Sequence, residues 1–198
     1  MLFTPRINHA IKLASQLHRN QTRKDSQHTP YVSHLFSVAM MLSRVTDEED
    51  IIIAGLMHDS LEDVPHYTYE KLTEDCGERV ALIVSHVTEP LDANKSDEEQ
   101  LPWLARKERY LENLRSGGRE SALVSAADKV HNTESFMDDA LREGSDFTSR
   151  FHSSLRNKIW FHEQVLAIVK EKIPEDNELV KLFEVRTEEY KKMSMASE

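Results

Sequence analysis

Apolar residues recur along most of this chain at the three- and four-residue spacing of a helix, not in the alternation of a strand. Ile7, Ala10, Ile11, Ala14 and Leu17 form the first such stripe. A polar, basic stretch from His18 to Pro30 interrupts it and predicts a loop; the helical period resumes from Tyr31 to Val45. Thr46-Asp47-Glu48-Glu49 has the form of a capping box, a threonine followed three residues later by glutamate. It is expected to open a helix over Asp50 to Asp63. That segment begins Ile51-Ile52-Ile53-Ala54-Gly55-Leu56-Met57, apolar on every side, which predicts a helix buried all round. Thr68 to Cys76 predicts a short helix that Gly77 ends, and Glu78 to Val87 another. Glu89 to Gln100 is polar and charged and reads as a mobile loop. Pro102 to Leu114 is amphipathic, and Gly117-Gly118 breaks the chain before a second buried segment, Ala122 to His131. Phe147 to Ile173 and Glu175 to Met193 predict long amphipathic helices, with Pro174 at a first-turn position between them.

The pattern predicts an all-α fold. Only five glycines occur in 198 residues, and long stretches lack both glycine and proline, which disfavours many short strands and turns. The length allows one domain with a sizeable core. Residues 1–172 are read as that domain and 173–198 as a helical extension, packed on the bundle or on a second subunit, which leaves a homo-oligomer open.

The net charge of −10 argues against nucleic-acid binding, which needs a basic face. An anionic substrate remains compatible, because a metal and a local basic cluster can reverse the field at one site. Cys76 is the sole cysteine, so no intramolecular disulfide can form, which fits a reducing compartment. Met1 to Gln16 lacks the apolar core of a signal peptide, and no window approaches the roughly 18 apolar residues of a membrane span. A cytoplasmic protein that stays out of the membrane is expected.

Candidate chemistry lies where polar residues interrupt the apolar runs. His58 and Asp59 end one such run, and Asp128 ends another, Ala122-Leu123-Val124-Ser125-Ala126-Ala127. Charges at the ends of buried segments are costly unless they are paired or bound to metal. His34, at the start of its own helix, is the candidate for a further ligand. Two imidazoles and two carboxylates suit Mn²⁺, Fe²⁺ or Zn²⁺. Glu62 lies four residues after His58 and three after Asp59, on the same helical face, and Asp63 follows it. A carboxylate beside a metal site is what a hydrolase needs as general base. Asn132, one turn beyond Asp128, is placed to reach a substrate hydroxyl. His9, His18, His28, His66, His86, His131, His152 and His162 are read as surface or satisfied core residues.

The ordered segments His18-Arg19-Asn20-Gln21-Thr22-Arg23-Lys24, Thr29-Pro30-Tyr31-Val32-Ser33-His34, His58-Asp59-Ser60-Leu61-Glu62-Asp63 and Ala127-Asp128-Lys129-Val130-His131-Asn132 resemble the HD superfamily of metal-dependent phosphohydrolases. They are most similar to the hydrolase domain of the RelA/SpoT family, and with no synthetase or regulatory region following, to its free-standing small alarmone hydrolases. The resemblance implies an HD-domain helical bundle with (p)ppGpp 3′-pyrophosphohydrolase activity, usually with Mn²⁺. It implies metal ligation by His34, His58, Asp59 and Asp128, and positioning and deprotonation of water by Glu62 and Asp63. It also implies base contacts by Arg23 and Lys24, phosphate contact near Lys107, and a ribose contact by Asn132. The chain departs from the family around the substrate. Asp25-Ser26-Gln27-His28 replaces a small turn, Leu35 replaces a proline, and Thr133-Glu134-Ser135 replaces a common arginine-threonine pair. Trp160 or Phe161 stands for a tyrosine near the base. An adenine alarmone, another nucleotide such as NADPH, and non-catalytic nucleotide sensing are the alternative readings.

Overall fold

The computed structural model describes residues 3–89, 102–144 and 155–195. They form helices α1 (Pro5–Leu17), α2 (Val32–Val45), α3 (Glu49–Met57), α4 (Ser60–Asp63), α5 (Tyr69–Cys76), α6 (Glu78–Ser85), α7 (Trp103–Ser116), α8 (Arg119–Glu143), α9 (Leu155–Lys172) and α10 (Glu178–Met195). No strand occurs among the described residues; the one β-type contact is an isolated bridge between Thr22 and Pro30. The all-α expectation holds. Residues 90–100 of the expected loop and residues 147–154 of the expected long helix lie outside the described residues.

Helix α3 is the axis of the bundle. Every residue from Ile51 to Met57 is buried, and α1, α2, α6 and α8 pack around it. A Cβ at Gly55 would lie 2.4 Å from Leu42 Cδ1 on α2, so a side chain here would require the buried Leu42 to move. Burial of each Ile or Leu in this core contributes about 1.5–3 kcal/mol relative to exposure.

Three local expectations change. The capping box at Thr46 does not form: Thr46 Oγ1 accepts the N–H of Glu48 at 3.1 Å, and Glu48 is the N-cap, without a side-chain cap bond. The Glu49 carboxylate instead binds Thr4 and Arg6 of the first helix region. The segment Asp50 to Asp63 is not one helix but breaks at His58-Asp59, a turn between α3 and α4 in which Asp59 has φ −92° and ψ −1°. Pro174 lies in the turn before α10, whose entry is capped by Asn177 Oδ1 accepting the Leu179 N–H at 2.9 Å. Thr68 and Gly77 behave as expected, Thr68 capping α5 and Gly77 (φ +99°) ending it. The turn before the first histidine ligand, with no glycine available, places His28 at φ +52°.

Helix α10 packs on α8 and α9, and its Leu179, Val180 and Phe183 join the same core as α3. Leu35 is fully buried in that core. No described helix is long and apolar enough to cross a membrane. Because Phe183 is fully buried, Phe183→Ala is expected to destabilise the chain by about 3–5 kcal/mol. Urea unfolding checks this; a loss below about 1 kcal/mol would mean that α10 contributes little to the core.

Candidate metal and phosphohydrolase site

Four side chains from two helices and one turn converge beneath a cavity. His34 comes from the first turn of α2, His58 and Asp59 from the break between α3 and α4, and Asp128 from the middle of α8. The break is what turns His58 and Asp59 together toward one point. His34 Nε2 and His58 Nε2 lie 3.3 Å apart. Asp59 Oδ2 lies 3.1 Å from His58 Nε2 and 3.6 Å from His34 Nε2. Asp128 Oδ1 lies 3.2 Å from His34 Nε2 and 3.6 Å from His58 Nε2. Ligands about 2.0–2.2 Å from one ion, at tetrahedral or octahedral angles, are separated by roughly 3.0–3.5 Å. His34, His58 and Asp59 offer donor atoms within 4.8 Å of one another, a set that could hold one divalent cation, and Asp128 lies against both imidazoles.

The imidazoles are oriented from behind. His58 Nδ1 donates to the Gly55 carbonyl at 2.9 Å, which leaves Nε2 to face the centre. His34 Nδ1 is 2.8 Å from His131 Nδ1. Burial and the neighbouring His34 push His131 down to about 3, so its neutral ring can accept that proton. Tyr31 donates to Asp59 Oδ2 at 2.7 Å, and Lys129 Nζ is 2.5 Å from Asp128 Oδ2. Against the desolvation of burial, the two histidines hold Asp59 well below the usual carboxylate range, and Lys129 and the same histidines do so for Asp128.

Glu62 and Asp63 lie at the opposite end of the charge scale. Burial, then the charges of Asp59 and Glu89, push Glu62 up to about 8. Burial and Asp59 push Asp63 up to about 6. Two carboxylates with this affinity for a proton sit beside the candidate ion site, and a bound cation would pull both back toward the ionised range. Glu62 Oε2 is held by the Glu89 backbone N–H at 3.0 Å. Glu89 is 4% exposed, and its carboxylate binds Arg106 Nε at 2.6 Å and Lys107 Nζ. Glu89 was read only as the start of a polar loop, and nothing in its sequence context marks it as buried.

Above the site opens a cavity of about 460 Å³ lined by Arg23, Lys24, Tyr31, Asp63, Trp103, Lys107, Lys129, Asn132, Ser135, Phe136, Asp139, Lys158, Phe161, His162 and Tyr190, with Thr22 at its edge. Five cations face two carboxylates in a chain of net charge −10. Arg23, Lys24, Lys107 and Asn132, all expected around the substrate, line it together. Arg23 Nη2 donates to Asn132 Oδ1 at 3.0 Å, and Lys107 is held partly back by Glu89. Of the pair Trp160 and Phe161, Phe161 faces the cavity while Trp160 packs on Trp103. The negative charge of Glu134 is turned away and paired with Arg186 of α10 at 2.9 Å. Two histidines read as ordinary serve the site: His131 orients His34, and His18 stacks on Tyr31 at 5.4 Å.

The description of an HD domain matches residues 10–157. The chain belongs to the HD-domain family. Similar relatives carry the name guanosine-3′,5′-bis(diphosphate) 3′-pyrophosphohydrolase. The MESH1 protein of Danio rerio is 37% identical over 125 residues, 62% of this chain and 64% of the relative. The human one is 34% identical over 125 residues, 62% of this chain and 65% of the relative. These matches span less than two thirds of the relatives' own length. Among solved structures, one titled as a metazoan ortholog of SpoT that hydrolyzes ppGpp superposes with a TM-score of 0.70 at 22% identity, covering 98% of each chain. The lmo0812 structure from Listeria monocytogenes follows at 0.66 and 24%, covering 78% of this chain and 96% of its own. At that identity the two structures establish the shared fold. HD-domain membership and the His/Asp cluster together make the site one for a divalent metal.

Two outcomes follow. A divalent cation that fills the site, at a hundred times its dissociation constant, is expected to stabilise the folded chain by about 2.7 kcal/mol. Asp128→Asn should remove that shift in a thermal melt, and an unchanged shift would place the ion elsewhere. His162 is buried, bonded to Thr133 Oγ1 at 3.2 Å, and driven down to about 3 by burial and then Lys129. The unfolded chain therefore takes up this proton first. The stability is whole above pH 6.5 and falls from there toward pH 3, by up to about 1.4 kcal/mol per pH unit. Replacing His162 with Gln should flatten this part of the pH–stability curve.

Proposed function

We propose that the chain is a manganese-dependent hydrolase that removes pyrophosphate from the 3′ position of (p)ppGpp. One observation carries the reading: Glu62 and Asp63, both held above the ordinary carboxylate range, stand beside the His34, His58, Asp59 and Asp128 cluster, and Asp63 lines a cationic cavity. A nucleotide sensor would have no use for two proton-accepting carboxylates there. The names of the relatives and their similarity over residues shared with this chain support the substrate class.

In this reading His34, His58, Asp59 and Asp128 hold the ion. When bound, the ion supplies Lewis acidity toward water and the phosphate oxygens. Glu62, fixed by the Glu89 amide, orients the attacking water and takes its proton; Asp63, on the next residue, shares that task. Lys129 and Lys107 face the phosphates and stabilise the charge of departing pyrophosphate. Asn132 contacts the ribose, while Arg23 and Lys24 approach the base from the turn that the Thr22–Pro30 bridge closes.

The test is product analysis with purified protein, manganese and guanosine 3′,5′-bis(diphosphate). Pyrophosphate release is expected. Glu62→Gln should lower kcat by about 10²–10⁴-fold while the manganese-dependent rise in melting temperature survives. Near-normal turnover of this variant would sink the assignment of Glu62. Orthophosphate from NADPH, with no pyrophosphate from the alarmone, would overturn the substrate.

A further inference from the structure

Lys107 enters the cavity already engaged. Its ammonium lies over the Phe161 ring at 5.0 Å and the Trp103 ring at 6.0 Å, and it donates to the Glu89 carboxylate. The other oxygen of that carboxylate accepts from Arg106 Nε at 2.6 Å. Glu89 stands behind the cavity wall and reaches the cavity through Lys107. Against the desolvation of burial, Lys107 and then Arg106 hold Glu89 below its ordinary range, so it is ionised at neutral pH.

Glu89 is also fixed in place. It follows the end of α6, where Thr88 Oγ1 donates to the Val84 carbonyl at 2.9 Å, and its own N–H donates to Glu62 Oε2 at 3.0 Å. An anion that reaches Lys107 must therefore share it with a carboxylate anchored at its own backbone. Lys129 is placed differently. Its carboxylate partner, Asp128, lies against the two imidazoles of the ion site and would be drawn by a cation there. Glu89 keeps its charge for Lys107 and Arg106.

We infer that Glu89 is a built-in competitor for the diphosphate group: it lowers the affinity of Lys107 for that group and so speeds the departure of pyrophosphate. The inference rests on the proposed alarmone hydrolysis and names what governs turnover at the same site. Attraction that is equal for substrate and transition state does not lower the barrier between them, and the part that outlasts bond cleavage retains the product. A carboxylate that shares Lys107 with the phosphates removes some of that surplus. If Glu89 instead served to aim Lys107 at the phosphates, loss of its charge would weaken diphosphate binding, the opposite sign.

The experiment compares the full chain with Glu89→Gln, Glu89→Ala, Lys107→Ala and the double variant Glu89→Gln/Lys107→Ala. Both changes at Glu89 keep the backbone N–H that holds Glu62. Hydrolysis of guanosine 3′,5′-bis(diphosphate) with manganese is followed under added inorganic pyrophosphate, and rapid quenching resolves the first turnover. Glu89→Gln and Glu89→Ala are expected to lower the inhibition constant of pyrophosphate by roughly ten-fold and KM with it. A burst of product should precede a slower steady state. Thermal melts report whether each variant folds, and a damaged site does not bind an anion more tightly, so the direction of the change separates this role from a structural one. In the Lys107→Ala background, Glu89→Gln should leave the inhibition constant where it was. An unchanged or raised constant in the single Glu89 variants, or a gain that survives without Lys107, overturns the inference. If the unaltered chain does not hydrolyse the alarmone, the functional proposal fails on its own. Calorimetry with inorganic pyrophosphate on the metal-free protein then decides the role of Glu89. Tighter binding by Glu89→Gln sustains it, and equal or weaker binding overturns it.

Discussion

The structure is organised around the cost of gathering four carboxylates, from buried Asp128 to half-buried Asp59 and Glu62 and exposed Asp63, about one place. Asp59, Glu62, Asp63 and Asp128 all lie within reach of one another's fields. Unbalanced charges of this density do not survive inside a helical bundle. The fold answers with two imidazoles, Lys129, the Tyr31 hydroxyl, and space for a divalent ion among the donors. The result is a division of labour set by environment alone. Asp59 and Asp128, next to histidines and lysine, stay ionised, whereas Glu62 and Asp63, next to other carboxylates, hold protons far more readily. Ligands and bases are the same chemical group in different surroundings.

Much of this was legible in the sequence because apolar runs are conspicuous and their interruptions more so. His58-Asp59 after seven apolar or small residues, and Asp128 after six, could only be explained by pairing or metal, and the structure brings them together. The helices were legible wherever periodicity ran for several turns. Local chemistry was less so. Thr46 satisfies a capping pattern and yet spends its hydroxyl on Glu48, because Glu49 is drawn off by Thr4 and Arg6, some forty residues away in sequence. The break at His58-Asp59 leaves no glycine or proline as a sign.

The residues that sequence reasoning missed share a property: each acts through another residue. His131 fixes His34, His18 packs Tyr31, and Glu89 joins Glu62 to Arg106 and Lys107. Their neighbours along the chain are ordinary, and only the fold makes them adjacent to the site. The departures from family pattern resolve in the same way. Glu134 is neutralised by Arg186, and Leu35 fills the core, so neither disturbs the site that the shared motifs build.

The bond from the Glu89 backbone N–H to Glu62 has a consequence for how this site can diverge. A main-chain amide persists through every substitution except proline, so the anchor of the water-orienting carboxylate is largely insulated from genetic change. The Glu89 side chain, which restrains Arg106 and Lys107, has no such protection. Drift at this single position would free or reverse charge on the phosphate side while the hydrolytic side kept its geometry. Within one residue, the architecture separates what lineages can tinker with from what they inherit intact.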